Sequence, residues 1–189
     1  MHPQRCTLVV SVAVLALGFN PLVGSAQSPD DFVPVTDAML QNPDPAHWLM
    51  WRRTLDSWGY SPLDQISRDN VDELRLVWSR GLTEGRQQGT PLVYDGVMYM
   101  PNPSDVIQAI DAATGDLVWE HRREVPEDIE DYMFDGLWQN NRNLAIYGEF
   151  IIDTSVDDHV FALDAATGRL AWETEILDYE TDRALQSSG

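Results

Sequence analysis

Lysine is absent from this chain. All 12 basic residues are arginine, they stand against 31 acidic ones, and the formal net charge is -19. A chain this acidic has no basic patch to face phosphates, which excludes nucleic-acid binding. It also excludes docking on an anionic membrane surface. Cysteine is nearly absent too. Cys6 is the single one, so there is no internal disulfide and no cysteine-ligated metal site. No Cys-x-x-Cys-His haem-attachment run occurs, and His47, His121 and His159 form no His-x-x-x-His pair. Long helical periodicity is missing beyond Glu73. No apolar run reaches the roughly 20 residues that cross a bilayer. The 189 residues suit one domain or a piece of a larger one, and a hydrophobic content of 43% suits a packed globular chain.

The longest apolar run lies at the N-terminus. Met1–Arg5 is short and positive, Cys6–Phe19 is apolar, and Gly24-Ser25-Ala26 offers the small residues that a signal peptidase requires. Residues 1–26 are read as a secretory signal peptide cleaved after Ala26, with a membrane anchor as the alternative. Cleavage removes Cys6 and leaves no membrane span. The expected location is periplasmic or secreted. Residues 27–73 read as a leader with short helices. Gln27–Pro34 is loose, Thr36–Asn42 forms a helix capped by Thr36, and Ser67–Glu73 forms a turn or two capped by Ser67.

From residue 74 onward the chain is a series of short apolar runs between Gly, Pro, Asp and Asn. They are Leu74–Ser79, Pro91–Tyr94, Val97–Met100, Val106–Ile110, Leu117–Glu120, Leu144–Tyr147, Phe150–Asp153, His159–Leu163 and Leu170–Thr174. Short strands with turn signals at this spacing indicate an all-β fold. The chain also repeats itself. Ala109-Ile-Asp-Ala-Ala-Thr-Gly-Asp-Leu-Val-Trp119-Glu120 returns as Ala162-Leu-Asp-Ala-Ala-Thr-Gly-Arg-Leu-Ala-Trp172-Glu173. A unit of about 50 residues with four short strands has the period and content of a β-propeller blade. In each copy the Asp can accept turn N–H groups, and the Gly supplies the positive φ that closes the hairpin. The Trp can lie flat between neighbouring sheets and bond through its N–H. Trp78, on the early lone strand Leu74–Ser79, fits the same role. Two ordinary hairpins in a sandwich are the alternative.

The motif Ala-x-Asp-x-x-Thr-Gly-x-x-x-Trp resembles the tryptophan-docking motif of pyrroloquinoline quinone-dependent (quinoprotein) alcohol dehydrogenases. Trp51–Leu63 resembles that family's N-terminal segment, Asn70–Leu74 through Val77-Trp78 its first strand, and Gly89–Val93 the start of its first full blade. The resemblance implies a partial β-propeller in residues 74–189: about two blades plus a closing strand of an eight-bladed ring. It also implies that the chain is the N-terminal fragment of a longer enzyme and is inactive alone.

Aligning the two units pairs Thr90 with Arg142 and Gln88 with Asn140, so Gln88 and Arg142 should both face the channel entrance. By resemblance, Arg142 holds the quinone oxygens, where a fixed guanidinium fork stabilises growing negative charge. Thr154 matches a polar cofactor contact. The alternatives are a surface-loop salt bridge for Arg142 and an ordinary strand position for Thr154. Two features depart from the family. Gln88 stands where a Glu is common, and Gly136-Leu137 stand where adjacent cysteines are usual. The resemblance places the calcium ligands and the catalytic carboxylate beyond residue 189, so no residue here is a catalytic or metal-ligand candidate. The acidic run Glu124, Glu127, Asp128, Glu130, Asp131 and Asp135 lacks EF-hand spacing and reads as a solvated loop.

The function implied is oxidation of a small-molecule alcohol by hydride transfer to pyrroloquinoline quinone. Calcium would act as Lewis acid, and a periplasmic acceptor such as a cytochrome c would take the electrons. The rival is a non-catalytic propeller scaffold with the same repeats.

Overall fold

A computed structural model describes residues 31–132 and 140–181. Residues 1–26, read from sequence as a signal peptide, and Gly136-Leu137 lie outside the described residues.

The described chain builds two four-stranded antiparallel sheets. The first contains β1 (Leu92–Tyr94), β2 (Val97–Asn102), β3 (Val106–Asp111) and β4 (Leu117–Arg122) in the order β1-β2-β3-β4. The second repeats the order with β5 (Ala145–Tyr147), β6 (Phe150–Thr154), β7 (His159–Asp164) and β8 (Leu170–Glu175). Eight expected strands therefore form within a residue or two of their expected bounds. Alternation explains much of this. Leu92 and Tyr94 are buried on β1, and Ile151 and Asp153 on β6. On β3 every residue is buried, because both faces of that strand are covered.

The repeated motif folds the same way twice. Ala109 pairs with Trp119 and Ala162 with Trp172, and each ladder then shifts register, between Ala109 and Ile110 and between Ala162 and Leu163. Asp111 Oδ1 accepts from Ala113 N and Thr114 N, both at 2.9 Å. Asp164 Oδ1 accepts from Thr167 N at 2.8 Å and Thr167 Oγ1 at 2.7 Å. Gly115 and Gly168 take φ of 79° and 72°. The turn chemistry is thus the same, with a carboxylate organising the turn and a glycine closing it.

Tryptophan joins the sheets. Trp119 Nε1 donates to Ala165 O at 2.9 Å, and its ring lies on Gly168, where a Cβ would stand 2.5 Å from Trp119 Cε3. Tyr99 Oη donates to the same carbonyl at 3.2 Å. Trp78 docks on the first sheet in the same manner, with its N–H on Ala112 O at 3.1 Å and its ring over Gly115. Trp78 lies on the early lone segment expected to close the ring, which has no partner in its own unit. Leu74–Ser79 makes no ladder, and Leu74, Leu76 and Val77 are exposed. A lone segment forms a strand only where a sheet edge receives it, and none of the described strands does so.

The leader is more integrated than its composition suggests. α1 (Asp37–Gln41) is capped by Thr36, whose Oγ1 accepts from Met39 N. Ser67–Glu73 gives a 3-10 turn at Val71–Glu73. Here Ser67 acts through its carbonyl, which accepts from Val71 N, and its Oγ accepts from Asp69 N. Two isolated bridges then tie the leader to β1 and to the turn between β5 and β6. Val35 and Gly148 exchange both backbone bonds at 2.8 Å, as do Trp48 and Val93. Val35 and Leu49 are fully buried and join one core with Leu92, Tyr99, Ile107, Ile151, Phe161 and Leu163. α2 (Ile129–Tyr132), in the connection between the sheets, anchors there through buried Ile129.

Candidate functional site

The two sheets enter through equivalent segments, Gln87–Thr90 before β1 and Asn140–Leu144 before β5. These segments lie side by side. Thr90 N donates to Arg142 O at 2.7 Å. Arg142 Nε donates to Gln88 Oε1 at 2.9 Å. Gln87 Nε2 donates to Pro101 O at 2.8 Å and fixes the first segment to β2. The structure thus brings together Gln88 and Arg142, two of the three residues singled out by sequence. At Gln88 a neutral amide oxygen accepts from one guanidinium nitrogen.

Thr154 ends β6 at the same end of the second sheet, pairing with Val160. It lines an open, mostly apolar cavity of about 460 Å³ with Leu49, Trp51, Leu55, Asn143 and Asp153. Its N–H donates to Asp153 Oδ1 at 2.8 Å. The other oxygen of Asp153 accepts from Asn141 Nδ2 at 2.6 Å. Asn141 and Asp153 are 2% and 4% exposed. Sequence reasoning missed this pair. The signal was available in the alternation of β6, which puts Asp153 on the buried face with Ile151. A carboxylate placed there requires partners.

A second buried polar cluster holds the other end of the connection between the sheets. Arg123 follows β4. Its Nη1 donates to Ser155 Oγ and to Asp157 Oδ1, both at 2.8 Å, and its Nε donates to Glu173 at 2.6 Å. Asp105 stands 3.9 Å from the same guanidinium and accepts a short hydrogen bond from Ser155 Oγ. Burial pushes the Asp105 carboxyl up to about 6, with Asp157 adding to the rise, while Ser155 and Arg123 hold it down. Among the described residues, no group of three or more His, Cys, Asp or Glu could hold a metal ion.

The donor set at the entrance fits a planar, anionic, oxygen-rich ligand. Arg142 supplies a guanidinium. Asn140 carries an amide whose Nδ2 and Oδ1 are buried without a partner. Arginine and amide groups of this kind recognise carboxylate and carbonyl oxygens.

A family model for the PQQ glucose/ethanol/alcohol dehydrogenase beta-propeller domain matches residues 48–173. The chain is 40% identical over 146 residues to the dehydrogenase subunit of a quinone alcohol dehydrogenase from Gluconacetobacter polyoxogenes, covering 76% of this chain and 19% of that protein. It is 40% identical over 120 residues to a 1-butanol dehydrogenase (cytochrome c) from Thauera butanivorans, covering 62% of this chain and 17% of that protein. Among solved structures it resembles the quinohemoprotein alcohol dehydrogenase ADHIIG of Pseudomonas putida HK5. That match has a TM-score of 0.68 and 32% identity, and covers 76% of this chain and 22% of the other. The chain spans about a fifth of the length of these relatives.

Proposed function

Because the chain belongs to the family of PQQ glucose/ethanol/alcohol dehydrogenase β-propellers, we propose that it is the N-terminal part of a periplasmic quinoprotein dehydrogenase acting on an alcohol or related hydroxyl compound. The observation that carries this reading is Arg142, set at the mouth of the second sheet by Thr90 and Gln88. Pyrroloquinoline quinone, when bound, supplies a carbonyl system that accepts a hydride from the alcohol carbon. Arg142 binds its oxygens and favours the extra negative charge. Gln88 aims the guanidinium, and Asn140 and Thr154 offer further polar contacts at the same rim. Calcium belongs to this proposal, with ligands placed beyond residue 189. A cytochrome c as electron acceptor agrees with the name of the Thauera relative.

The test is to express the full-length protein, load it with quinone and calcium, and follow dye reduction over a panel of alcohols. Bound cofactor and turnover are expected, with both reduced in Arg142→Ala. No bound cofactor and no turnover would overturn the reading and favour a scaffold. Export is tested by N-terminal sequencing of the mature protein, which should begin at Gln27.

A further inference from the structure

We propose that Asp153, acting through Asn141, is the positioning residue that fixes Arg142 for its ligand. The inference rests on the reading of Arg142 given above. A guanidinium on a flexible stem binds a planar anion well only when its backbone and first rotamers are held beforehand. The Arg142 segment follows a long connection from β4 and precedes the short strand β5, so its own ladder offers little restraint. The restraint comes from the residue before it. Asn141 donates to Asp153 Oδ2 at 2.6 Å, and Asp153 Oδ1 accepts the Thr154 N–H at 2.8 Å. Both Asn141 and Asp153 are buried. One carboxylate therefore ties the Arg142 segment and the end of β6 together, away from water, where a charge-assisted bond is strong and screening is weak. The far side of the Arg142 segment is held by Thr90 N on Arg142 O at 2.7 Å. The guanidinium thus projects from a backbone pinned to both sheets. Asp153 acts only on how Arg142 is presented and is not itself a ligand contact.

The experiment titrates the full-length apoprotein with pyrroloquinoline quinone in the presence of calcium, read by tryptophan fluorescence quenching, alongside thermal melting. Asn141→Ala is expected to weaken quinone affinity by about tenfold, the scale of losing one hydrogen bond to a charged group. Arg142→Ala is expected to weaken it further, and the double variant should lose little more than Arg142→Ala alone. The exchanged pair Asn141→Asp with Asp153→Asn rebuilds the bond with donor and acceptor reversed, and should restore affinity to within about threefold of the parent. If Asn141→Ala does not fold, Asn141→Ser, which keeps a hydroxyl without the reach, takes its place. A fall in melting temperature with unchanged affinity, or losses that simply add, would overturn the positioning role and leave Arg142's role standing. Unchanged affinity in Arg142→Ala would instead overturn the reading of Arg142 as the cofactor ligand, and this proposal with it.

Discussion

Trp119 and Trp172 occupy the same register position in two sheets of the same strand order, and their surroundings differ. Trp119 is 8% exposed, stacked on Gly168 and bonded to Ala165 O. Trp172 is 40% exposed, on a strand whose six residues all face solvent. The motif therefore specifies a strand and a projecting indole, while burial of that indole is set by the neighbouring sheet. The seam between the sheets is a finished interface, with an indole at its centre and the Arg123 cluster beside it. The outer face of the second sheet carries the same apolar equipment, Leu170, Trp172 and Ile176, with nothing described against it.

Substitution at the two indoles gives the largest contrast. Trp119→Ala is expected to cost about 3–5 kcal/mol by leaving a cavity in the seam, and Trp172→Ala in this chain about 1 kcal/mol. Urea unfolding of both variants measures this, and equal losses would break the comparison. The arginines come next. Arg123→Ala leaves Asp157 and Asp105 buried without their guanidinium partner, at about 3–5 kcal/mol, whereas exposed Arg169→Ala changes stability by no more than about 0.5 kcal/mol. Similar unfolding midpoints for the two would show that the Arg123 cluster does not hold the seam.

Glycine sharpens the same point. Gly168→Ala forces a Cβ into the Trp119 ring at a φ of +72°, with a cost of about 3 kcal/mol. Gly96 has a similar φ of +77° and open space around it, so Gly96→Ala reports the backbone strain alone, about 1–2 kcal/mol. The difference between the two melts isolates the docking contact. The smallest effect is a pH slope. Asp105 has its carboxyl raised from 3.8 to about 6, so between these values the folded chain holds a proton there that the unfolded chain releases. Its stabilising contribution is complete below about pH 4 and is lost as the pH rises through about 6. Asp105→Asn should flatten the stability profile over that window, by on the order of 2 kcal/mol. Asn suits the positive φ of 53° at this position. Parallel profiles for parent and variant would show that Asp105 ionises freely.

Local chemistry was legible wherever it acts over a few residues. The Asp and Gly of each docking turn, the alternation on β1 and β6 and the cap at Thr36 all follow from spacing. Aligning the repeats paired Thr90 with Arg142 and Gln88 with Asn140, and the structure sets these equivalent segments side by side. Leu74–Ser79, expected as the lone closing strand, makes no ladder among the described residues, since an extended segment needs an edge to pair with. Arg123 was passed over for a related reason, since its partners in the Ser155–Asp157 turn become neighbours only when the second sheet packs on the first. Asp153 differs, because Asn141 lies in the same unit and the alternation of β6 already put the carboxylate on the buried face.

The amino-acid sequence alone determined the hairpins, their turns and the two-fold recurrence of the blade, because each depends on bonds and periodicities within a few neighbouring positions. Tertiary structure decided which tryptophan is buried, how Val35 and Leu49 of the leader enter the core, and which carboxylates are drawn out of water around Arg123. Those outcomes depend on surfaces brought together from distant parts of the chain. Their free energy comes from excluding water between them, which no single segment can do alone.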